Sequence, residues 1–209
     1  MIGDKIIKVC GMREGDNILA VEMLGVDLMG FIFYPKSPRY ISSTPSIMPT
    51  SAKRVGVFVN ESMSNIVSRV ESFNLDYVQL HGAESVDLCR ELSRYGVKVI
   101  KAFSIDSHFD FHTVGPYLDH CDLFVFDTKC DSVGGSGRQF NWSQLHEYSG
   151  KTPFLLSGGI SADSSEDIAK FEHPQLVGYD LNSCFESAPA MKDVELLKLF
   201  FEKLKLKYE

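Results

Sequence analysis

Residues 5–13 read KIIKVCGMR, a short apolar stretch that ends in a cysteine and a glycine. Such a run is typical of a buried parallel strand, and Gly11 marks the turn that follows it. An open, doubly wound sheet usually carries a G-x-G-x-x-G turn after its first strand, and Val9–Arg13 lacks one. If further strands follow at regular intervals, this stretch favours a closed sheet over an open one.

Seven further apolar runs do follow, and stretches with helical spacing alternate with them. The predicted strands are Lys5–Val9, Leu28–Phe33, Arg54–Val59, Tyr77–Leu80, Val97–Phe103, Leu123–Asp127, Phe154–Ser157 and Leu176–Asp180. The predicted helices are Asn17–Leu24, Ser62–Phe73, Ser85–Arg94, Phe109–Leu118, Trp142–Tyr148, Ser164–Lys170 and Asp193–Leu204. Eight strands that alternate with seven or eight helices predict an α/β protein with a parallel eight-stranded (β/α)8 barrel, the TIM barrel, as a single domain over residues 1–209.

One crossover differs from the others because prolines interrupt it. Pro35, Pro38, Pro45 and Pro49 fall between the second and third predicted strands. Proline removes a backbone donor and breaks helical hydrogen bonding. We therefore expect a short helix or a loop there.

Composition excludes several classes of protein. The 209 residues carry a formal charge of −7, from 21 basic and 28 acidic side chains. This balance argues against nucleic acid and anionic membranes as partners. The five cysteines form no Cys-x-x-Cys pair, so neither a disulfide framework nor a zinc site is expected. No signal-peptide core or membrane-spanning run is visible, and the sequence predicts a reduced, cytoplasmic protein.

In a barrel of this kind the active site lies at the carboxyl ends of the strands. The polar or reactive candidates there are Cys10, Arg39, Asn60, Gln79, His81, Asp127, Ser157, Gly158, Gly159, Asp180, Asn182 and Ser183. Lys8 precedes Cys10 by two residues and so points to the same side of the strand, where its charge would favour a thiolate. A free cysteine is nevertheless often only a small core residue. Asp127 is either a functional acid or a cap for the chain that follows.

The Gly158-Gly159 pair follows the seventh strand, and Asn182-Ser183 follows the eighth. Glycines let backbone N–H groups approach an anion, and these two loops form the usual phosphate site of the fold. An ordinary strand-to-helix turn is the alternative. A second glycine-rich loop, at 134–138, is either a lid or a flexible connection.

At these residues the chain resembles the phosphoribosylanthranilate isomerase family of tryptophan biosynthesis. The matching segments are KVCGMR (8–13), GFIFYPKSPRY (30–40), VGVFVN (55–60), VQLHG (78–82), FDTK (126–129), GGSG (134–137), FNW (140–142), LSGGI (156–160) and DLNS (180–183). They stand in the family's order and cover nearly the whole chain. Cys184 and Phe185 depart from the pattern, because glycine and a smaller aliphatic residue are common after Asn-Ser.

The resemblance implies an Amadori rearrangement without metal or cofactor. The substrate would be the phosphosugar N-(5-phosphoribosyl)anthranilate, and the product 1-(2-carboxyphenylamino)-1-deoxyribulose 5-phosphate. Asp127 would be the general acid and Cys10, as a thiolate, the general base, while Arg39 would bind the anthranilate carboxylate. The phosphate would be bound at Ser157, Gly158, Gly159, Asn182 and Ser183, and the site-lining residues would be Lys8, Gln79, His81 and Asp180.

The resemblance also bears on assembly and on competing functions. Family members occur as monomers or dimers, so a monomer or a homodimer is expected. Two alternatives stay open: another phosphosugar barrel enzyme, such as an indole-glycerol-phosphate synthase or a metal-dependent epimerase, and a non-catalytic phosphosugar-binding protein. The presence of both Cys10 and Asp127 argues against a pure binding protein, which needs neither.

Overall fold

The computed structural model describes residues 2–128 and 142–208. Eight parallel strands form a closed barrel in sequence order, and the eighth pairs with the first. The strands are β1 Ile6–Cys10, β2 Leu28–Ile32, β3 Lys53–Phe58, β4 Tyr77–Leu80, β5 Lys98–Ile105, β6 Leu123–Thr128, β7 Phe154–Ser157 and β8 Leu176–Leu181. The prediction of a (β/α)8 barrel is confirmed, and every strand begins and ends within two residues of its predicted bounds.

Helices cover the outside of the barrel. The α-helices are α1 Gly15–Glu22, α2 Met63–Phe73, α3 Val86–Tyr95, α4 Ser165–Lys170 and α5 Val194–Tyr208. Two local signals fix the bounds of α2: the Ser62 hydroxyl accepts a hydrogen bond from the backbone N–H of Asn65, and Asn74 takes the left-handed conformation with φ 50°. These serine and asparagine caps stop the helix at both ends of its apolar stripe.

Two of the predicted helices differ from expectation. Phe111–Tyr117 and Trp142–Glu147 form 3₁₀ helices rather than α-helices. In the first, Pro116 lies inside the element and cannot donate the hydrogen bond that an α-helix needs. Between β2 and β3 the chain forms a loop, as the prolines there predict. The backbone N–H of Ile41 donates a hydrogen bond to the carbonyl oxygen of Ile32 at 3.0 Å.

A small hairpin after β8 was not predicted. It consists of β9 Glu186–Ala188 and β10 Met191–Lys192, which pair in antiparallel fashion. A 3₁₀ turn, Ser183–Phe185, leads into it from β8. The hairpin is too short to leave an alternating pattern in the sequence, yet it carries charged side chains to the mouth of the barrel.

Apolar side chains fill the barrel interior in a layer below its carboxyl end. The members of this layer are Leu28, Val55, Ile100, Ala102, Leu123, Val125 and Leu155. A larger apolar cluster lies between the outer face of the sheet and the helices. Because the apolar layer fills the interior, the side chains at the carboxyl ends of the strands lie above packed core on one side and face solvent on the other.

The barrel closes where β8 passes β1, and Gly178 allows the close approach. A Cβ atom at Gly178 would meet the carbonyl group of Ile6, its partner in the register, 2.8 Å from the carbonyl carbon. We therefore expect Gly178→Ala to lower the free energy of unfolding by about 3 kcal/mol, as overpacking against rigid backbone does. Urea denaturation would measure this loss. Gly115→Ala is the matched control, because nothing lies within 4 Å of the added methyl; equal losses in the two variants would contradict the steric explanation.

Candidate active site

A cavity of about 400 Å³ opens at the carboxyl ends of the strands. Every predicted candidate lines it except Lys8, which lies buried below, Arg39, which lies to one side, and Asn60. The Asn60 Oδ1 instead accepts a hydrogen bond from the backbone N–H of Ala83 at 2.8 Å. The residues that line it are Cys10, Ile32, Val57, Gln79, His81, Asp127, Ser157, Gly158, Gly159, Ile160, Asp180, Asn182, Ser183 and Cys184. The barrel therefore brings together strand ends that are far apart in the sequence.

A second and larger cavity, of about 740 Å³, lies at the opposite end of the barrel. Ile6, Leu28, Tyr77, Leu123 and Val177 contribute its apolar walls. Barrel enzymes place their chemistry at the carboxyl ends of the strands. The smaller cavity is for this reason the candidate active site.

Cys10 ends β1 with its thiol almost fully buried. Its sulfur lies over Gly30 of β2, where a Cβ atom would come within 2.6 Å of it. Lys8, on the same face of β1, is completely buried, and its Nζ lies 2.9 Å from both carboxylate oxygens of Asp180. Lys8 also interacts with the Cys10 thiol. Lys8 and Cys10 thus lie two residues apart on one strand, the spacing that puts their side chains on the same face.

The net effect on the thiol differs from the expectation that Lys8 would favour a thiolate. Burial raises the pKa of Cys10 and outweighs the charge of Lys8, which lowers it. Burial also opposes the charge on Lys8, but Asp180 and Cys10 together raise the pKa of Lys8 above its ordinary value. Lys8 is therefore protonated and bound to Asp180, and it lies beside a thiol whose pKa is above its ordinary value.

Across the cavity, Asp127 is linked to β4 by a chain of side chains. Its Oδ2 lies 3.3 Å from Nε2 of His81, and Nδ1 of His81 accepts a hydrogen bond from Nε2 of Gln79 at 2.9 Å. Because Nδ1 accepts, the ring hydrogen of a neutral imidazole lies on Nε2 and points to Asp127. Gln79 is 1% exposed and Asp127 about one-third exposed. The chain therefore holds the carboxyl group at the edge of the cavity with an oxygen still accessible.

The loops after β7 and β8 form one wall. Gly158 and Gly159 have φ values of 87° and 64°, the left-handed region that favours glycine. On the neighbouring loop, Oδ1 of Asn182 accepts a hydrogen bond from Nζ of Lys192 at 2.8 Å, which turns this side chain toward the hairpin. Gly158 and Gly159 can present only backbone to the cavity, as an anion site made of N–H groups requires.

Arg39 lies beside the cavity and is held by a carboxylate. Its Nε donates to both oxygens of Glu186, at 2.9 and 3.0 Å, and its Nη2 donates to one of them at 2.6 Å. The side chain crosses over Gly11, whose missing Cβ leaves room for the Arg39 Cδ atom. The Glu186 contacts raise the pKa of Arg39 above its ordinary value. The arginine is therefore fixed at the mouth rather than solvated.

Comparison with known proteins identifies the family. The family model for N-(5'phosphoribosyl)anthranilate (PRA) isomerase matches residues 7–203. The chain belongs to this family. Among curated members, the N-(5'-phosphoribosyl)anthranilate isomerase of Phocaeicola vulgatus is 50% identical over 204 residues, which are 98% of this chain and 100% of that protein. The isomerase of Parabacteroides distasonis is 45% identical over 95% of this chain and 93% of its own length.

Solved structures of isomerases in this family share the fold. The Thermotoga maritima enzyme superposes with a TM-score of 0.83 at 31% identity, covering 96% of this chain and 98% of that one. A phosphoribosylanthranilate isomerase in complex with reduced 1-(o-carboxyphenylamino)-1-deoxyribulose 5-phosphate gives a TM-score of 0.82 at 30% identity, covering 96% and 98%. The expectation of an isomerase of tryptophan biosynthesis is confirmed at the level of the family.

Reasoning from the sequence missed three residues that shape this isomerase site. Glu186 and Lys192 hold Arg39 and Asn182, and Gly30 makes room for the Cys10 sulfur. No local sequence signal predicts the ion pair between Arg39 and Glu186, because these two residues are 147 positions apart. Gly30 does stand in the middle of an apolar strand, a position where glycine often marks a close approach of other atoms.

The two residues that depart from the family pattern lie directly after Ser183. Phe185 is fully buried and packs on Phe200 at 5.1 Å between ring centroids, while Cys184 is exposed.

No helix within residues 2–128 and 142–208 is long and apolar enough to cross a membrane. Lys129 and the glycine loop at 134–138, with its predicted choice between lid and connection, lie outside the described residues, as do residues 140 and 141.

Proposed function

We propose that the protein converts N-(5-phosphoribosyl)anthranilate into 1-(2-carboxyphenylamino)-1-deoxyribulose 5-phosphate, with Asp127 as the general acid and Cys10 as the general base. The observation that carries the proposal is the placement of this carboxyl group and this thiol in one cavity, lined also by backbone-rich loops after β7 and β8. An aldose–ketose rearrangement needs an acid near the ring oxygen and a base near the adjacent carbon. Membership of the isomerase family supports the same reaction.

The first step is ring opening. Asp127 donates its proton to the ring oxygen of the ribose, the bond from that oxygen to the first sugar carbon breaks, and the aniline nitrogen forms an iminium with that carbon. Asp127 is suited to this step because it remains about one-third exposed while His81 fixes one of its oxygens. His81 and Gln79 act here as residues that orient the acid.

In the second step the Cys10 thiolate removes the proton from the second sugar carbon. The electrons of that C–H bond form an enol-amine. This enol-amine relaxes to the ketone as its first carbon takes up a proton and the hydroxyl group on its second carbon loses one. The iminium formed in the first step helps the base, because a positive charge one bond away makes that C–H bond more acidic. Lys8, held by Asp180 at 2.9 Å, stabilises the thiolate from below.

The rest of the site binds the two ends of the substrate. Backbone N–H groups around Gly158, Gly159 and Ser183 would hold the phosphate, with Ser157 and Asn182 shaping the loops. Arg39 would bind the anthranilate carboxylate through its guanidinium group. Holding both ends aligns the sugar carbons between the acid and the base.

The test is direct. Purified protein is mixed with freshly generated phosphoribosylanthranilate, with EDTA present and no cofactor added, and the loss of anthranilate-type fluorescence is followed. We expect a loss far above the spontaneous rate, because no step in this mechanism needs a metal or a redox group. A rate equal to the spontaneous one, together with binding of the reduced product analogue, would contradict the proposal and favour a phosphosugar-binding protein.

A further inference from the structure

We propose that Glu186 and Lys192 are positioning residues that set the specificity of the site for a ring carboxylate, by fixing Arg39 so that one edge of its guanidinium faces the ligand. This inference rests on the proposed function, in which Arg39 binds the carboxylate. It assigns a purpose to the β9–β10 hairpin, which contributes neither the acid nor the base.

The hairpin places its two charged side chains against each other. Glu186 and Lys192 are partners in the β9–β10 register, and Nζ of Lys192 lies 2.6 Å from a Glu186 oxygen. Both side chains are almost inaccessible, at 5% and 0% exposed. Nζ of Lys192 also donates to Oδ1 of Asn182 at 2.8 Å, so its ammonium group is engaged on two sides.

The first helix of the barrel anchors the hairpin. The side chain of Asn17 in α1 accepts from the backbone N–H of Lys192 at 2.8 Å and donates to the carbonyl of Lys192 at 2.9 Å. Asn17 is itself buried. Because a buried amide holds the backbone at this point, Glu186 reaches Arg39 from a rigid support.

The hydrogen bonds to Glu186 use only one edge of the Arg39 guanidinium group. Glu186 takes Nε and one hydrogen of Nη2. Within residues 2–128 and 142–208, Nη1 of Arg39 has no hydrogen-bond partner. A guanidinium presents two edges to carboxylates, and the edge formed by Nη1 and Nη2 is therefore left for a second carboxylate.

Charge leads to the same conclusion. Two cations, Arg39 and Lys192, share the single carboxylate of Glu186 in a largely buried cluster. Hydrogen bonds from Arg39 and Lys192 lower the pKa of Glu186 although burial would raise it, so this carboxylate is ionised at neutral pH. Burial lowers the pKa of Lys192, although Glu186 partly offsets this effect. With both cations charged, the cluster carries one positive charge in excess, which an anionic ring substituent neutralises and a neutral ring does not.

The experiment compares Glu186→Gln with the wild type against two ligands. One is reduced 1-(o-carboxyphenylamino)-1-deoxyribulose 5-phosphate, and the other is the same compound with an unsubstituted phenyl ring. We expect the variant to bind the carboxylate-bearing ligand about tenfold more weakly, because the guanidinium loses its fixed orientation and this loss outweighs the positive charge that the substitution adds to the cluster. It should bind the phenyl ligand as the wild type does. In turnover, KM should rise by a similar factor while kcat changes little, because Cys10 and Asp127 are untouched.

Glu14→Gln is the matched control. Glu14 is exposed and pairs with Arg13 at 2.8 Å. Its replacement by Gln removes the same charge at the same end of the barrel. We expect both ligands to bind this variant with unchanged affinity. If Glu186→Gln fails to fold, Glu186→Asp, which keeps the charge but reaches less far, is tested with the same pair of ligands and should lose affinity for the carboxylate-bearing one alone.

Three results would overturn the inference. If the variant bound both ligands equally more weakly, Glu186 would have a purely structural role. If the affinity for both ligands were unchanged, Glu186 would have no role in positioning Arg39. Tighter binding of the carboxylate-bearing ligand would mean that Glu186 competes with the ligand for Arg39. If instead the wild type bound neither ligand and had no isomerase activity, the proposed function itself would fall, and with it the inference.

Discussion

Replacing Asp127 by Asn is expected to lower kcat by about 10²–10⁴-fold, the usual contribution of a positioned general acid. The amide keeps the shape of the carboxyl group and can still accept a hydrogen bond from His81, whose Nε2 lies 3.3 Å from Asp127. It has no proton acidic enough for the ring oxygen. Ring opening then depends on water, and the rearrangement slows at its first step.

Binding separates this chemical loss from a structural one. The reduced product analogue needs no proton transfer, so its dissociation constant should stay within about tenfold of the wild-type value. Asp119→Asn is the control, since Asp119 is exposed and pairs with Lys151 away from the cavity. Retained activity in Asp127→Asn would remove this residue from the mechanism, and the same slowing in Asp119→Asn would point to a general loss of charge.

Cys10→Ala is expected to have an effect of similar size on the second step, about 10²–10⁴-fold in kcat. Alanine removes the sulfur that lies over Gly30 and leaves no group on β1 that can accept the proton. Steady-state kinetics with saturating substrate would measure the loss. Cys121→Ala is the control, because this partly exposed thiol does not line the cavity.

The pH dependence of Cys10 alkylation tests the same assignment. Burial raises the pKa of Cys10 above its ordinary value, so the thiol is mostly protonated at neutral pH. Only the thiolate accepts a proton, and its fraction rises about tenfold per pH unit below the pKa. We therefore expect the rate at which iodoacetamide alkylates Cys10, measured as the difference between the wild type and Cys10→Ala, to climb with pH through the neutral range and to level off above the ordinary pKa of a thiol. A profile that is flat there would argue against a thiolate base.

Elements with a strong local signal could be predicted from the sequence. The apolar runs that became β1 to β8 were located to within two residues, because each is bounded by turn residues and buried on both faces. The helix predicted at Phe109–Leu118 became a 3₁₀ helix at Phe111–Tyr117, where Pro116 removes a donor. Apolar spacing alone does not distinguish the two kinds of helix.

Within the site, residue types at strand ends were predictable and their electrostatic balance was not. The two-residue spacing placed Lys8 beside Cys10, yet the direction of the pKa shift of Cys10 depends on burial, which no local pattern reports. The Arg39–Glu186 pair joins loops after β2 and β8, and such a contact exists only once the barrel is closed.

That closure has a consequence for the order in which activity is gained during folding. Asn17 meets Lys192 across 175 residues, and Lys8 meets Asp180 across 172. Contacts between distant parts of a chain close large loops, and their entropic cost delays them relative to local structure. A refolding chain is thus expected to form most of its βα units before the Lys8–Asp180 and Asn17–Lys192 contacts. We therefore expect isomerase activity to appear in refolding experiments only after most of the helical signal has returned, when the two ends of the chain have met.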